Sequence, residues 1–122
     1  MAALRISLLM MLLLLSACNR PTPRVSAEAE AASRTLRPQQ ADIAAIYERS
    51  CRNCHTVAAT GAPLTGNQAA WSPRMEKGMD ALLGSVVNGF GGMPPLGLCM
   101  DCDTQQFTAL IQFMSSPAVS HD

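Results

Sequence analysis

The pentapeptide Cys51-Arg52-Asn53-Cys54-His55 constrains the fold of this chain more than any other feature. Its two thiols lie about one helical turn apart, a spacing at which both can add to the vinyl groups of one haem. The imidazole that follows can then reach the iron. Because Cys-x-x-Cys-His is the attachment signature of c-type haem, we predict covalent haem at Cys51 and Cys54, with His55 as an iron ligand.

Two other kinds of site also use closely spaced cysteines. A thioredoxin-like redox motif needs a neighbouring βαβ pattern, which the sequence does not contain. A zinc site could combine Cys51 and Cys54 with Cys99 and Cys102, which have the same spacing. However, the two pairs are too far apart in sequence for a zinc ribbon. Neither alternative needs a histidine directly after the second cysteine, so the pattern favours haem.

The first seventeen residues have the pattern of an export signal. Arg5 precedes the apolar run 6–15, which is too short for a permanent membrane-spanning helix. Leu15-Ser16-Ala17-Cys18 resembles a bacterial lipobox, in which the cysteine becomes the lipidated N-terminus. We therefore predict a signal peptide over residues 1–17 and a lipid anchor at Cys18 in the bacterial periplasm. The alternative is an ordinary cleaved signal, in which Cys18 is incidental.

Residues 18–40 are predicted to be a flexible tether. The segment contains three prolines and almost no large apolar side chains, so it has little surface to bury. A transient helix over residues 26–34 would have nothing to pack against. The tether carries four basic and two acidic residues, whereas residues 41–122 carry four basic and seven acidic ones. This acidic balance, with few aromatic residues, argues against binding to nucleic acid.

Three segments with apolar side chains at helical spacing predict a small all-α domain over residues 41–116, followed by a tail over residues 117–122. The three segments are 42–50, 79–88 and 103–114. Asp103 and Gln106 fit the N-cap and the capping box of the last helix. The segments between them are rich in glycine and proline and are predicted to be loops. About eighty residues build only a thin core, so we expect a bound group to fill its centre.

A methionine is the best candidate for a second iron ligand. The other histidine, His121, follows the last predicted helix. Four methionines lie on or beside apolar helical faces, where packing accounts for them. Met93 lies instead in the loop Gly91-Gly92-Met93-Pro94-Pro95, whose glycines allow close approach and whose prolines stiffen the chain. We predict Met93 as the second axial ligand, with simple packing on the core as the alternative.

The order of these motifs resembles that of class I c-type cytochromes, and most closely the bacterial cytochrome c5 group. The matching segments are Cys51–His55, Gly61–Leu64, Ala69–Arg74, Gly78–Leu82, Met93–Pro95 and Cys99–Cys102. The resemblance implies an all-α class I cytochrome c fold, with three to five short helices and long loops around one haem c. In this family the first and last helices, here 42–50 and 103–114, cross.

The resemblance also implies roles for residues around the haem. The carbonyl of Pro63 would accept the Nδ1 proton of His55 and orient the imidazole. Trp71 would lie near a haem propionate, with Arg74 beside it.

Further roles concern the segment after Met93. Cys99 and Cys102 would form the short disulfide typical of the cytochrome c5 group, and a redox-active pair is the alternative. Leu96 and Leu98 depart from the small, glycine-rich segment of the group. They would enlarge the apolar surface beside the haem edge and alter the choice of partner.

These features together imply one-electron transfer rather than catalysis. Ligation by histidine and methionine leaves no open position on the iron for a substrate. The expected partners are redox proteins or membrane respiratory complexes that dock transiently at the haem edge, while the lipid anchor holds the carrier at the membrane. The alternatives are a haem-based sensor or peroxidase-like enzyme with a dissociable Met93, and a fixed electron-transfer subunit of an oxidase.

Overall fold

Short helices joined by loops make up residues 25–118, the part of the chain that the computed structural model describes. Within this range β-type pairing is limited to one isolated bridge between Phe90 and Met93. The prediction of an all-α fold is confirmed. The predicted signal peptide, Cys18, the start of the tether and His121 lie outside the described residues.

The helices differ in length, and two of them are joined by a π-helical segment. The α-helices are α1 (Ala27–Thr35), α2 (Ala41–Ile46), α3 (Arg52–His55), α4 (Gln68–Met75), α5 (Met79–Asn88) and α6 (Thr104–Ser115). A π-helical segment, Tyr47–Cys51, joins α2 to α3, and short 3₁₀ turns form at Ala58–Thr60 and Pro95–Leu98. None of the helices between residues 25 and 118 is both long and apolar enough to cross a membrane.

The three predicted helices are all present. Residues 42–50 fall within α2 and the π-helical segment, while 79–88 coincides with α5 and 103–114 with α6 to within one residue. At the start of α6, the Asp103 carboxylate accepts the Gln106 amide proton at 2.8 Å, and the Gln106 side chain accepts the Asp103 amide proton at 2.9 Å. This reciprocal capping box satisfies two backbone donors that the helix itself leaves unpaired.

Helix α4 was predicted to be a loop. Its sequence contains Pro73 and no broad apolar stripe, and Trp71 is its only buried residue. The helix begins at Asn67, whose side-chain oxygen accepts the amide proton of Ala70 at 3.3 Å. Anchoring by one large aromatic side chain and one cap leaves little periodic signal in the sequence.

Helix α1 corrects the prediction that residues 18–40 form a flexible tether throughout. Its Ser33 is 1% exposed, so the helix is packed against the rest of the domain. Leu36, just after the helix, lies against Gly66, where an added Cβ would come within 2.7 Å of the leucine Cδ1. Arg37 forms an ion pair with Glu48. Apart from Leu36, these contacts involve small or polar side chains, so apolar periodicity gave no sign of them.

The core lies between α2 and α6, with α4 and α5 packed against it. Its buried apolar side chains are Ile43, Ile46, Tyr47, Leu64, Trp71, Leu82, Val86, Cys99, Phe107, Leu110, Ile111 and Met114. The Tyr47 ring meets Phe113 of α6 edge to face, with centroids 5.0 Å apart. The first and last helices of the predicted domain are therefore in direct contact, as the resemblance implies.

Burial of Tyr47, the only tyrosine, predicts a loss of stability at alkaline pH. Desolvation raises the pKa of the phenol, while the hydrogen bond to Thr65, at 2.9 Å, acts in the opposite direction. The unfolded chain therefore ionises first. The contribution of Tyr47 to the free energy of unfolding should be constant below pH ~10 and then fall by about 1.4 kcal/mol per pH unit until the folded phenol ionises.

Urea unfolding at a series of pH values, followed by circular dichroism, measures this decline. Tyr47→Phe should reduce the alkaline slope and, because Thr65 loses its partner, should cost about 1 kcal/mol at neutral pH. An unchanged slope in Tyr47→Phe would show that another group causes it.

Candidate functional site

The two cysteines of the pentapeptide flank the beginning of α3. Cys51 is half-buried at the end of the π-helical segment, and Cys54 is exposed within α3. Neither is bonded to another cysteine. Burial raises the pKa of Cys51 to about 11, so this sulfur is a neutral thiol at physiological pH. Neither sulfur is part of a disulfide, so both can form a covalent bond to another group.

His55 is buried, and its ring is held in one orientation. Nδ1 lies 2.8 Å from the carbonyl oxygen of Pro63. Because a carbonyl can only accept, Nδ1 carries the proton and Nε2 is left with its lone pair for a metal. Burial lowers the pKa of His55; the Pro63 hydrogen bond opposes this effect and the charge of Arg74 adds to it. The imidazole is therefore neutral at pH 7, the form that binds iron.

Residues 63–65 form a loop that holds this histidine in place. The backbone amide of Thr65 donates to the His55 carbonyl at 2.8 Å, and the Thr65 hydroxyl is hydrogen-bonded to Tyr47. Trp71 donates its indole N–H to the carbonyl of Leu64 at 2.9 Å. The sequence motifs indicated Pro63 and Trp71, but they did not indicate that Tyr47 and Thr65 support the same loop.

Trp71 and Arg74 both lie close to His55. The indole ring stacks on the imidazole, with centroids 6.0 Å apart and an angle of 26° between the planes. Its N–H is already used by Leu64, so the indole N–H is not free to bond a propionate. Arg74, one turn further along α4, is partly exposed and is the remaining candidate donor to a propionate.

Met93 and Cys51 line the same apolar cavity. A tight turn precedes Met93, in which Phe90 and Met93 exchange two backbone hydrogen bonds of 3.1 and 2.9 Å. The turn lies close to Gly89, where an added Cβ would be 2.9 Å from the Met93 carbonyl oxygen. The cavity is lined by Cys51, Val86, Met93, Leu96, Gly97, Cys99, Phe107, Leu110, Ile111 and Met114. All of these side chains are apolar or contain sulfur.

The segment after Met93 has a strained backbone. Leu96 and Leu98 have φ angles of 57° and 64°, in the left-handed region that favours glycine. Leu96 packs against the core, whereas Leu98 is 69% exposed. This is the place where the sequence departs from the glycine-rich segment of the cytochrome c5 group, and the leucines adopt a glycine-like conformation there.

A disulfide closes the loop that follows. Cys99 and Cys102 are bonded, with Cα atoms 5.4 Å apart. Arg49, two residues before Cys51, donates to both carboxylate oxygens of Asp101 at 3.0 Å and to the Cys99 sulfur at 3.2 Å. The hydrogen bond from Arg49 is the main cause that lowers the pKa of Asp101. The disulfide loop is thus attached to the helical segment that carries the haem motif.

The arrangement does not support a zinc site. Among residues 25–118, the only cluster of possible ligand atoms is formed by Cys99, Asp101 and Cys102, and its two cysteines are disulfide-bonded. Cys51 and Cys54 are not part of this cluster. The two thiols lie near an imidazole whose Nε2 is free and a thioether beside an apolar cavity. These groups together are suited to covalent haem.

Comparison with known proteins decides the family. The model of the family described as cytochrome c oxidase, cbb3-type, subunit III, matches residues 38–114. Cytochrome c5 of Azotobacter vinelandii is 38% identical over 76 residues, which cover 61% of this chain and 88% of that protein. The chain is a class I c-type cytochrome. The resemblance seen in the motifs is therefore confirmed at the level of the family.

Other relatives of this chain are also cytochromes c. Cytochrome c-555 of Chlorobaculum tepidum is 42% identical over 48 residues, which cover 39% of this chain and 44% of that protein. A cytochrome c solved in an electron transfer complex with nitrite reductase is 32% identical, with a TM-score of 0.56, over 64% of this chain and 95% of its own. The predictions of covalent haem c and of an electron-transfer protein rather than an enzyme are confirmed.

Proposed function

We propose that this cytochrome carries single electrons in the periplasm with His55 and Met93 as its axial ligands. The observation that carries the proposal is the shared apolar cavity: Met93 lines it together with Cys51, which lies one helical turn before His55. When bound, the haem supplies a one-electron couple. The chain holds the imidazole neutral and oriented, keeps the thioether on a stiff loop and lines the cavity beside the thioether with apolar side chains.

Transient docking is supported by the exposed surface beside Met93. The large apolar residues exposed there are Val87, Phe90, Leu98 and Met100. Val87 lies on α5, Phe90 in the turn, Leu98 in the strained segment and Met100 in the loop closed by the disulfide. Helix α5 packs against residues 95–98. Acidic residues outnumber basic ones by seven to four over residues 41–122. We infer that the partner offers an apolar contact flanked by basic side chains, which would steer the encounter.

The lipid anchor at Cys18 would hold this domain close to the membrane. Because α1 begins at Ala27 and packs on the domain, only about eight residues separate the anchor from the folded part. An extended chain of that length reaches at most about 28 Å. The haem domain would therefore stay next to the membrane surface, within reach of membrane respiratory complexes and of soluble redox proteins that approach it.

Cys18→Ser tests the anchor. In cells that make lipoproteins, the wild-type protein should sediment with membranes. Cys18→Ser should move most of the holoprotein to the soluble periplasmic fraction, because the lipid is lost and the apolar run 6–15 is too short to span the membrane. Haem staining of the fractions gives the ratio. Cys102→Ser, which also removes one cysteine, is the control and should stay with the membrane.

A fixed electron-transfer subunit of an oxidase is a second candidate, because the matched family model is described as an oxidase subunit. The same fractions distinguish the two. If Cys18→Ser remains with the membrane and co-purifies there with a stoichiometric oxidase, the protein is held by a partner rather than by lipid. A wild-type protein that is soluble in the periplasm would contradict both candidates.

A further inference from the structure

Helix α1 lies before residues 38–114, the range that the cytochrome family model matches, yet it contacts the haem motif directly. Ser33, on its inner face, is 1% exposed. Its hydroxyl donates to the carbonyl oxygen of His55 at 3.1 Å. An element outside the family's common domain thus reaches the residue that we propose as an iron ligand.

This contact is one of three hydrogen bonds between α1 and residues 52–56, and donors lie on both sides. Arg34 donates from Nε to the Thr56 carbonyl at 3.4 Å, and Arg52 donates to the carbonyl of Arg34 at 3.1 Å. Ser33 is the buried member of the set, while the two arginines are at least partly exposed. Hydrogen bonds in a buried setting are less weakened by water, so Ser33 is the contact with the greatest influence on His55.

The His55 carbonyl accepts two donors, the Ser33 hydroxyl and the Thr65 amide. Pro63, two residues before Thr65, accepts the Nδ1 proton of the His55 ring. Ser33 therefore fixes the backbone of His55 from outside, and this keeps the ring aligned with the Pro63 carbonyl. A histidine that donates strongly from Nδ1 is a more basic ligand, and it favours the ferric state.

We propose that Ser33 is a positioning residue for His55, and that α1 is an accessory element that lowers the reduction potential of the haem by strengthening the hydrogen bond between His55 and Pro63. This proposal rests on the ligand role of His55 given above. Alanine at position 33 would leave the His55 carbonyl with the Thr65 amide alone. The ring would then be aligned less firmly with Pro63, and its donation to iron would weaken.

The test compares Ser33→Ala with Thr35→Ala in the full-length holoprotein. Thr35 is a suitable control because its exposed hydroxyl bonds only to Ala32 within α1. In Ser33→Ala, hydrogen exchange of the Thr65 amide should accelerate about two- to tenfold, the range expected for the loss of one hydrogen bond. At a fixed solution potential, the ratio of ferrous to ferric haem should rise by a similar factor. Thr35→Ala should match wild type in both.

Ser33→Thr keeps the hydroxyl. A cavity of about 330 Å³ beside Ser33, lined by α1, residues 65–68 and residues 117–118, has room for the added methyl group. Both readouts should return to wild-type values in this variant. Wild-type exchange and potential in Ser33→Ala would overturn the proposal, and so would a fall in potential, which would indicate entry of water.

The failure of this proposal can be told apart from the failure of the ligand assignment. Wild-type protein that lacks the absorption of methionine-ligated ferric haem contradicts the proposed axial pair, whatever Ser33→Ala does. The hydrogen-exchange rate of the Thr65 amide measures how firmly α1 stabilises residues 63–65. This rate can be read without reference to the iron.

Discussion

Replacing both Cys51 and Cys54 with alanine should leave the chain with no covalently bound haem. Neither sulfur is bonded to another cysteine, and the two flank the first turn of α3 directly before His55. Without them no thioether can form, and haem held only by ligation is lost when the protein is denatured. Haem staining after denaturing electrophoresis should therefore fall from one haem per chain to none, and the pyridine haemochrome spectrum should change to that of free haem.

The matched control removes the other two cysteines of the domain. Cys99→Ala with Cys102→Ala should keep the covalent haem, because these sulfurs are bonded to each other. The control should lower the free energy of unfolding by an amount on the order of 2 kcal/mol or less, since the closed loop is very short. Covalent haem in Cys51→Ala with Cys54→Ala would contradict the assignment of the pentapeptide.

Met93→Ala should have the second largest effect. Met93 lies on a loop that is fixed by the Phe90 turn and that borders the cavity shared with Cys51. Loss of the thioether should remove the charge-transfer absorption of methionine-ligated ferric haem and lower the reduction potential, because methionine ligation favours the ferrous state. The ferrous protein should then bind carbon monoxide readily, which the wild type should not.

Met100→Ala is the control for this variant. Met100 is 77% exposed in the loop closed by the disulfide, so it contributes neither packing nor ligation. Its absorption spectrum and potential should be those of wild type. If Met93→Ala keeps the charge-transfer absorption while a variant of another methionine loses it, Met93 is a packing residue and the axial pair must be reassigned.

The parts of the fold that the sequence predicted are those with strong local signals. Helix α6 has four buried apolar residues at helical spacing and a capping box, so its position was predicted to within one residue. Helix α5 stops where Gly89 takes a positive φ. In contrast, α4 depends on one buried indole and an asparagine cap, and α1 depends on polar contacts with distant residues. Periodicity cannot detect either kind of stabilisation.

The same division applies to the site. Cys51, Cys54 and His55 follow one another in sequence, and Met93 lies in a loop of distinctive composition, so each could be predicted from nearby residues. The residues that hold His55 in place come from remote parts of the chain. Tyr47, Thr65 and Ser33 meet around its loop only after folding, and a tyrosine, a threonine or a serine alone carries no local signature of that role.

An optical redox titration of the wild-type holoprotein at neutral pH tests the central claim most directly. A carrier with His55 and Met93 on the iron should titrate reversibly as a single one-electron couple. The charge-transfer absorption of methionine-ligated haem should appear in the ferric state and disappear on reduction. A ferric spectrum without that absorption, in a protein whose ferrous form binds carbon monoxide at neutral pH, would contradict the account.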